Sequence, residues 1–251
     1  MMENSQNFLQ LNTSEVCNLL EAYIKSDKKL LLLCHVNPDG DTVGSAFALR
    51  KIYTLMGGIA HCACTSDVPE YLRFLLDGQI SIEYTENLEK TYDHIWSIDV
   101  ASPTQFGRLS HLADEVSLSI DHHGNCTLFS SYCLQPDASA TGELIFAIYK
   151  ELIQRGKIIE NAAVCRSIYA AISADTGSFQ YSNTTPETFR IGAALVETIN
   201  RANDEGGDPA SIAHRLHGCR TVQELQAQKL VIERLHLAYD NTLAYVCIPA
   251  S

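Results

Sequence analysis

Basic residues are scarce in this chain: Lys and Arg number 18 against 30 Asp and Glu, a formal net charge of −12. Gripping a long phosphate backbone depends on Lys and Arg displacing counterions, so a protein that coats DNA or RNA, or holds long duplex, is disfavoured. Small anionic substrates stay open where a metal ion reverses the local sign. Long hydrophobic runs are also missing. Runs such as Leu30–Cys34 fall far short of the roughly 20 apolar residues that a membrane span needs. The opening MMENSQNFLQ has no basic n-region and no apolar h-region, so it does not read as a secretory leader. The nine Cys are an odd number and mostly scattered; Cys62 and Cys64 form a lone C-x-C with no second pair nearby. That spacing argues against structural zinc and against a disulfide framework. Reduced thiols in a cytoplasmic protein are expected.

What is present suits a globular protein. Hydrophobic residues make up 46% of 251, ample for one large domain or two smaller ones. Residues 14–26 read as a helix with Ser14 as its cap, and KLLLLC at 29–34 reads as a strand buried on both faces. The loop HVNPDGD follows, then a helix over 42–56 stopped by Gly57-Gly58. Further strands are expected at 59–64, 94–98 and 116–120. Helices are expected from Pro69 to Leu76, at 139–154, at 160–173 and from Pro186 to Ile199. RANDEGGDPAS at 201–211 has linker composition. A helix over 220–238 and a strand-like piece at 242–248 end the chain. Strands alternating with helices predict an α/β fold with a mainly parallel sheet flanked by helices. The domain plan is 1–200 as the main domain, 201–219 as a linker, and 220–251 as the start of a small α/β domain.

The chemistry-bearing residues collect at element ends. His35, Asp39 and Asp41 follow the first buried strand, Asp99 ends the strand at 94–98, and Asp121, His122 and His123 end the strand at 116–120. Asp175 follows the helix at 160–173. Ligands of open parallel sheets bind outside the carboxyl ends of the strands, so these segments deliver their acids to one rim. Five carboxylates in one crevice repel one another and raise their own pKa values, which calls for a cation among them. Asp and His suit Mn²⁺, Mg²⁺, Fe²⁺ or Co²⁺ better than structural zinc. The donors suffice for two ions sharing a carboxylate, a clamp used for displacement at phosphorus. Any one of these acids could instead be a cap, Asp41 that of the helix beginning at Thr42. His214 and His217, three apart beyond the linker, are weak candidates.

Taken together, HVNPDGDTVGS (35–45), SID (97–99), IDHHGN (120–125) and SADTGSFQYSNTTPET (173–188) resemble the four motifs of the DHH phosphoesterase superfamily, over roughly 14–200. PDGD with SNTTPET resembles its nanoRNase and pAp-phosphatase branch. The resemblance implies hydrolysis of short RNA oligonucleotides or of adenosine 3′,5′-bisphosphate with two divalent ions, Mn²⁺ foremost. It implies His35 and Asp39 on one ion, Asp41, His122 and Asp175 on the other, and Asp99 bridging. His123 would face the scissile phosphate, with Asp121 orienting the histidine pair. Arg108 would meet a phosphate, or else be a surface arginine. Ser182, Asn183 and Thr184 would line the substrate rim. Gly40 and Gly44 would allow close backbone approach. Other readings stay open: a metal- and nucleotide-binding module with little turnover, a phosphodiesterase of cyclic-dinucleotide-derived pNpN, or a family II pyrophosphatase.

Two departures stand out. Gln180 occupies a position where many relatives have Arg, which gives up a charge-assisted contact to phosphate. The branch also carries a C-terminal domain with a glycine-rich GGGH loop, and no such stretch occurs here, so beside the branch the sequence reads as C-terminally incomplete, either a fragment or a natural minimal form. Metal binding is therefore expected to be intact and substrate grip weak. A strand edge left open at 242–248 would favour self-association into a homodimer.

Overall fold

The computed structural model describes residues 8–64, 66–76, 91–202 and 207–248. The chain divides into two compact units, Met1–His217 and Gly218–Ser251. The first unit is built on a five-stranded sheet in the order β2-β1-β3-β4-β5. Its strands are β1 (Lys29–Leu33), β2 (Ile59–Ala63), β3 (His94–Ile98), β4 (Val116–Asp121) and β5 (Ser131–Leu134), all parallel. Leu9–Leu11 continues the sheet beyond β5, where the Leu11 amide donates to the Tyr132 carbonyl at 2.7 Å.

Parallel strands need covering on both faces, and β1 shows how this is done. Leu30 and Leu32 enter one hydrophobic core, whereas Leu31 and Leu33 enter a second. The first core is roofed by α1 (Thr13–Lys25), α2 (Gly40–Leu55), α3 (Thr141–Gln154), α4 (Ala162–Asp175) and α5 (Pro186–Ala202). The second is closed by Phe106, Leu109 and Leu112 from a 3-10 segment, Pro103–Glu115, kinked at Gly107 (φ 57°). A strand with Leu on both faces is stable only inside such a sandwich, which is why KLLLLC could be read as buried.

α2, α3 and α4 approach unusually closely. A Cβ on Gly44 would lie 2.6 Å from the Ser167 carbonyl oxygen, and one on Gly142 would lie 2.8 Å from the Ala171 Cβ. The close approach at Gly44 is thus to α4. Cys34 faces the core as expected, and all nine cysteines are free. Among the described residues no helix is long and apolar enough to cross a membrane.

Some elements differ from the sequence expectation. β5 was not foreseen. Part of the expected linker, 203–206, lies outside the described residues, and beyond it α6 (Pro209–Ala213) and a π-helical turn, His214–Gly218, fill the span. In the second unit, α7 (Val222–Glu233) opens on a Thr221–Glu224 capping box and stops short of the expected end at 238. Leu235–Ala238 forms β6 instead, which pairs antiparallel with β7 (Leu243–Val246) through a turn of left-handed residues at 239–241. The segment at 242–248 therefore has one of its edges paired within the unit.

Candidate metal centre

The strand order reverses around β1: the chain crosses from β1 to β2 on one side and then returns from β2 to β3 on the other. The carboxyl ends of β1 and β3 therefore flank a crevice at the switch point. His35 leaves β1 and Asp99 leaves β3 at this point. Asp121–His123 come from the end of neighbouring β4, and Asp175 from the last turn of α4. The backbone is strained around the crevice: Asn37 (φ 51°), Asp99 (φ 61°), Ser178 (φ 59°) and Phe179 (φ 64°) all adopt left-handed conformations without being glycine. Such strain persists only where the surroundings hold it, and it concentrates at functional sites.

Asp99 is central. It is 3% exposed, and its amide donates to the Ile120 carbonyl at 2.9 Å. Its Oδ2 faces His35 Nε2 at 3.7 Å; its Oδ1 faces His122 Nε2 at 3.8 Å and His123 Nδ1 at 3.6 Å. The two oxygens of one carboxylate thus point into different donor groups. One group is His35, Asp39 and Asp99; another is Asp99, His122 and His123; a third is Asp41, His122 and Asp175.

Both inner histidines are held in the same way. His35 Nδ1 donates to the Val36 carbonyl at 2.8 Å, and His122 Nδ1 donates to the Ala138 carbonyl at 3.1 Å. A carbonyl only accepts, so each ring is fixed with Nε2 toward the acids. His35 Nε2 lies 3.6 Å from Asp39 Oδ1, and His122 Nε2 lies 3.2 Å from Asp175 Oδ2 and 3.9 Å from Asp41 Oδ2. Although Asp175 lies 3.2 Å away, the buried His122 Nε2 makes no well-formed hydrogen bond. An orphaned imidazole nitrogen among three carboxylates is the donor set that a divalent cation completes, and these residues fit one.

The electrostatics agree. Burial pushes Asp41 well above the usual carboxylate range, and the charges of Asp99, Asp175 and Asp39 add to it. Burial also raises Asp99, against the hydrogen bond from His35. For His35, burial opposes the charge, but bonds to Asp39 and Asp99 overcome it and lift the ring to about 10. For His122, burial is likewise overcome, chiefly by Asp175, and the ring reaches about 9. Asp39 is lowered because His35 outweighs its burial.

Asp39 and Asp41 share out the capping roles in an unforeseen way. Asp39 caps α2, its Oδ1 accepting from the amides of Asp41 and Thr42 at 3.0 and 3.1 Å. Asp41, fully buried, instead caps α3. Its Oδ2 accepts from the Thr141 amide at 2.7 Å, and its Oδ1 from the Gly142 amide at 3.0 Å and Ser45 Oγ at 2.9 Å. The N-cap of α3 itself is Ala140, which has no side chain for the purpose. Thr141, Gly142 and Ser45 were all missed in the sequence; the one available signal was a helix start lacking its own capping residue.

The outer residues are placed as follows. Asp121 Oδ1 accepts from the amides of His122 and His123 and, at 2.7 Å, from His123 Nδ1. The bond to Asp121 is the largest cause raising the His123 pKa. Arg108 is exposed in the 3-10 segment just past Gly107, and its guanidinium makes no ion pair among the described residues. Ser182 is exposed. The Asn183 amide is spent on the carbonyls of Ser139 and Asp175, both at 3.1 Å, so it ties the loop down. The Thr184 Oγ1 is buried without a partner. His217 Nε2 donates to the Ser173 carbonyl at 3.1 Å, two residues before Asp175.

Comparisons with known proteins bear on the family and the fold. Residues 29–172 match the model of the DHH family, N-terminal domain. The bifunctional oligoribonuclease and PAP phosphatase NrnA of Thermus thermophilus is 29% identical over 170 residues, 66% of this chain and 49% of that protein. The protein of the same name from Bacillus subtilis is 27% identical over 171 residues, 67% of this chain and 52% of that protein. The chain thus spans about half the length of these curated relatives. The structure of an exopolyphosphatase-related protein from Bacteroides fragilis superposes with a TM-score of 0.76 at 20% identity, over 90% of this chain and 66% of that one. With the four motif segments converging at one switch point and the family model spanning more than half of the sequence, the chain belongs to the DHH family.

Proposed function

We propose that this chain is the catalytic part of a two-metal phosphoesterase, acting on short RNA oligonucleotides and on 3′-phosphoadenosine 5′-phosphate. The observation that carries this reading is Asp99, whose two oxygens face separate His- and Asp-containing groups. The substrate class is supported by what the relatives' names state. His35 and Asp39 would hold one ion, and Asp41, His122 and Asp175 the other, with Asp99 shared. Such a pair of divalent ions, with Mn²⁺ put foremost by the family resemblance and Mg²⁺, Fe²⁺ and Co²⁺ also suiting Asp and His, would supply charge neutralisation at the phosphoryl oxygens and a water of lowered pKa. The protein's own groups do the rest. His123, half-exposed with Nδ1 committed to Asp121, keeps Nε2 to stabilise charge on the phosphate or protonate the leaving oxygen. Arg108, exposed and without an ion pair among the described residues, would be available to a substrate phosphate, and Ser182 and Thr184 lie in the loop that follows Asp175.

The test is Mn²⁺-dependent hydrolysis of a 5′-labelled RNA dinucleotide and of 3′-phosphoadenosine 5′-phosphate, with Asp99→Ala beside the wild type. Product from the wild type and none from Asp99→Ala is expected. Pyrophosphate hydrolysed faster than either substrate would replace the substrate class. No product from any of the three would overturn the enzymatic reading in favour of a binding module.

A further inference from the structure

The carboxylate shared between donor groups has a further partner that none of the four motifs contains. Thr141 opens α3 and is fully buried. Its amide donates to Asp41 Oδ2 at 2.7 Å, and its hydroxyl donates to Asp99 Oδ1 at 2.9 Å. One residue therefore holds two acids delivered by different elements, α2 and the end of β3. The contact is deliberate in its setting. α3 reaches this position because Gly142 lets it press against α4, where a Cβ would meet Ala171 at 2.8 Å and Ile172 at 3.2 Å.

The backbone of Asp99 is pinned by its amide, but that does not fix the plane of the carboxylate. The terminal torsion of an Asp is broad and roughly two-fold, and rotation about it would redistribute the oxygens between the His35 side and the His122 side. The Thr141 hydroxyl selects one oxygen, Oδ1, on the His122 and His123 side, and leaves Oδ2 to His35. We propose that Thr141 is a positioning residue of the metal centre, whose hydroxyl sets the plane of the shared carboxylate so that it spans both ion positions. This rests on the two-metal reading above. Thr141 is not among the candidate donors and would act through Asp99.

The experiment is calorimetric Mn²⁺ titration of the metal-free protein, with electron paramagnetic resonance of the loaded protein, for wild type, Thr141→Val and Thr141→Ser. Val keeps the shape and removes the donor; Ser keeps the donor and removes the methyl. Thr141→Val is expected to weaken Mn²⁺ binding at one position by roughly 10- to 100-fold, the range seen when a group supporting a ligand is lost. It is also expected to lose the spectrum of a coupled ion pair. Thr141→Ser should keep both. Should Thr141→Val fail to fold, judged by thermal unfolding without metal, Thr141→Ala takes its place with the same expectation. Wild-type binding in the variant without the hydroxyl would overturn the proposal, as would Thr141→Ser binding as weakly as Thr141→Val, which would place the effect in packing. Both outcomes leave the metal centre standing. Absence of Mn²⁺ uptake by the wild type would instead remove the centre itself, and the role of Thr141 with it.

Discussion

Asp99 and His123 lie 3.6 Å apart, yet the proposed function gives them separable duties, and substitution should separate them. Asp99→Asn loses one charged oxygen from the centre of the donor set. Both Mn²⁺ affinity and turnover should fall by at least the ~100-fold expected for a supporting group, as read by calorimetry and initial rates. His123→Gln leaves His35, Asp39, Asp41, Asp99, His122 and Asp175 untouched. There, kcat should fall by about 10²–10⁴-fold, the usual worth of a positioned proton donor, while the stoichiometry of Mn²⁺ uptake stays at the wild-type value. Loss of an ion in His123→Gln would make His123 a ligand. At this scale the acids and histidines were legible because each stands at the end of an element. Thr141 was not, because its significance depends on Asp41 and Asp99, far upstream in sequence and adjacent only in the fold.

At the level of elements, the helix packing sets the tolerances. In Gly44→Ala the new methyl would sit 2.6 Å from the Ser167 carbonyl oxygen and 2.9 Å from the Ala171 amide nitrogen, backbone atoms with no rotamer to escape into. Helix propensity would return about 1 kcal/mol, against typically 1–3 kcal/mol for overpacking. Net destabilisation is expected, measured by urea unfolding of the metal-free protein. Asn12→Ala tests a simpler contribution. It removes a capping box in which Asn12 Oδ1 accepts from the Glu15 amide at 3.0 Å while Glu15 accepts from the Asn12 amide at 2.8 Å. A loss of about 1 kcal/mol is expected in the same assay. The strands β1 to β4 were readable because each carries several buried apolar residues in a short extended stretch, as in Leu30–Leu33 of β1 and Val116, Leu118 and Ile120 of β4. β5 was not: SYCL is a four-residue strand with only Cys133 buried, so it carries no hydrophobic run. β6 was hidden because Leu235 and Leu237 follow directly on α7 and pass for its continuation.

For the whole molecule, the acid cluster makes stability depend on pH and on metal together. His35 and His122 have pKa values of about 10 and about 9 in the folded chain, above the ordinary 6.5. Between these limits the native state holds more protons than the unfolded one, so stability must fall as pH rises. Their contribution is complete below about pH 6.5 and is lost as pH climbs through 9 to 10. The raised Asp41 and Asp99 act in the same direction, being deprotonated at a cost. The Tm of the metal-free protein should therefore decline from pH 6.5 to 10, and saturating Mn²⁺ should flatten that decline, since binding replaces those protons. A metal-free Tm that rises over this interval would contradict the assignment. The crevice has a kinetic consequence too. Its donors run from His35 to Asp175, and the parallel pairings that gather them are all long-range, the kind of contact that forms late and slowly. A chain that has emerged only as far as β4 lacks the amides of α3 that hold Asp41 and the turn that presents Asp175. Acquisition of Mn²⁺ during refolding should thus trail the appearance of helix and sheet, so that the ion serves as a timer for the final closure of the domain.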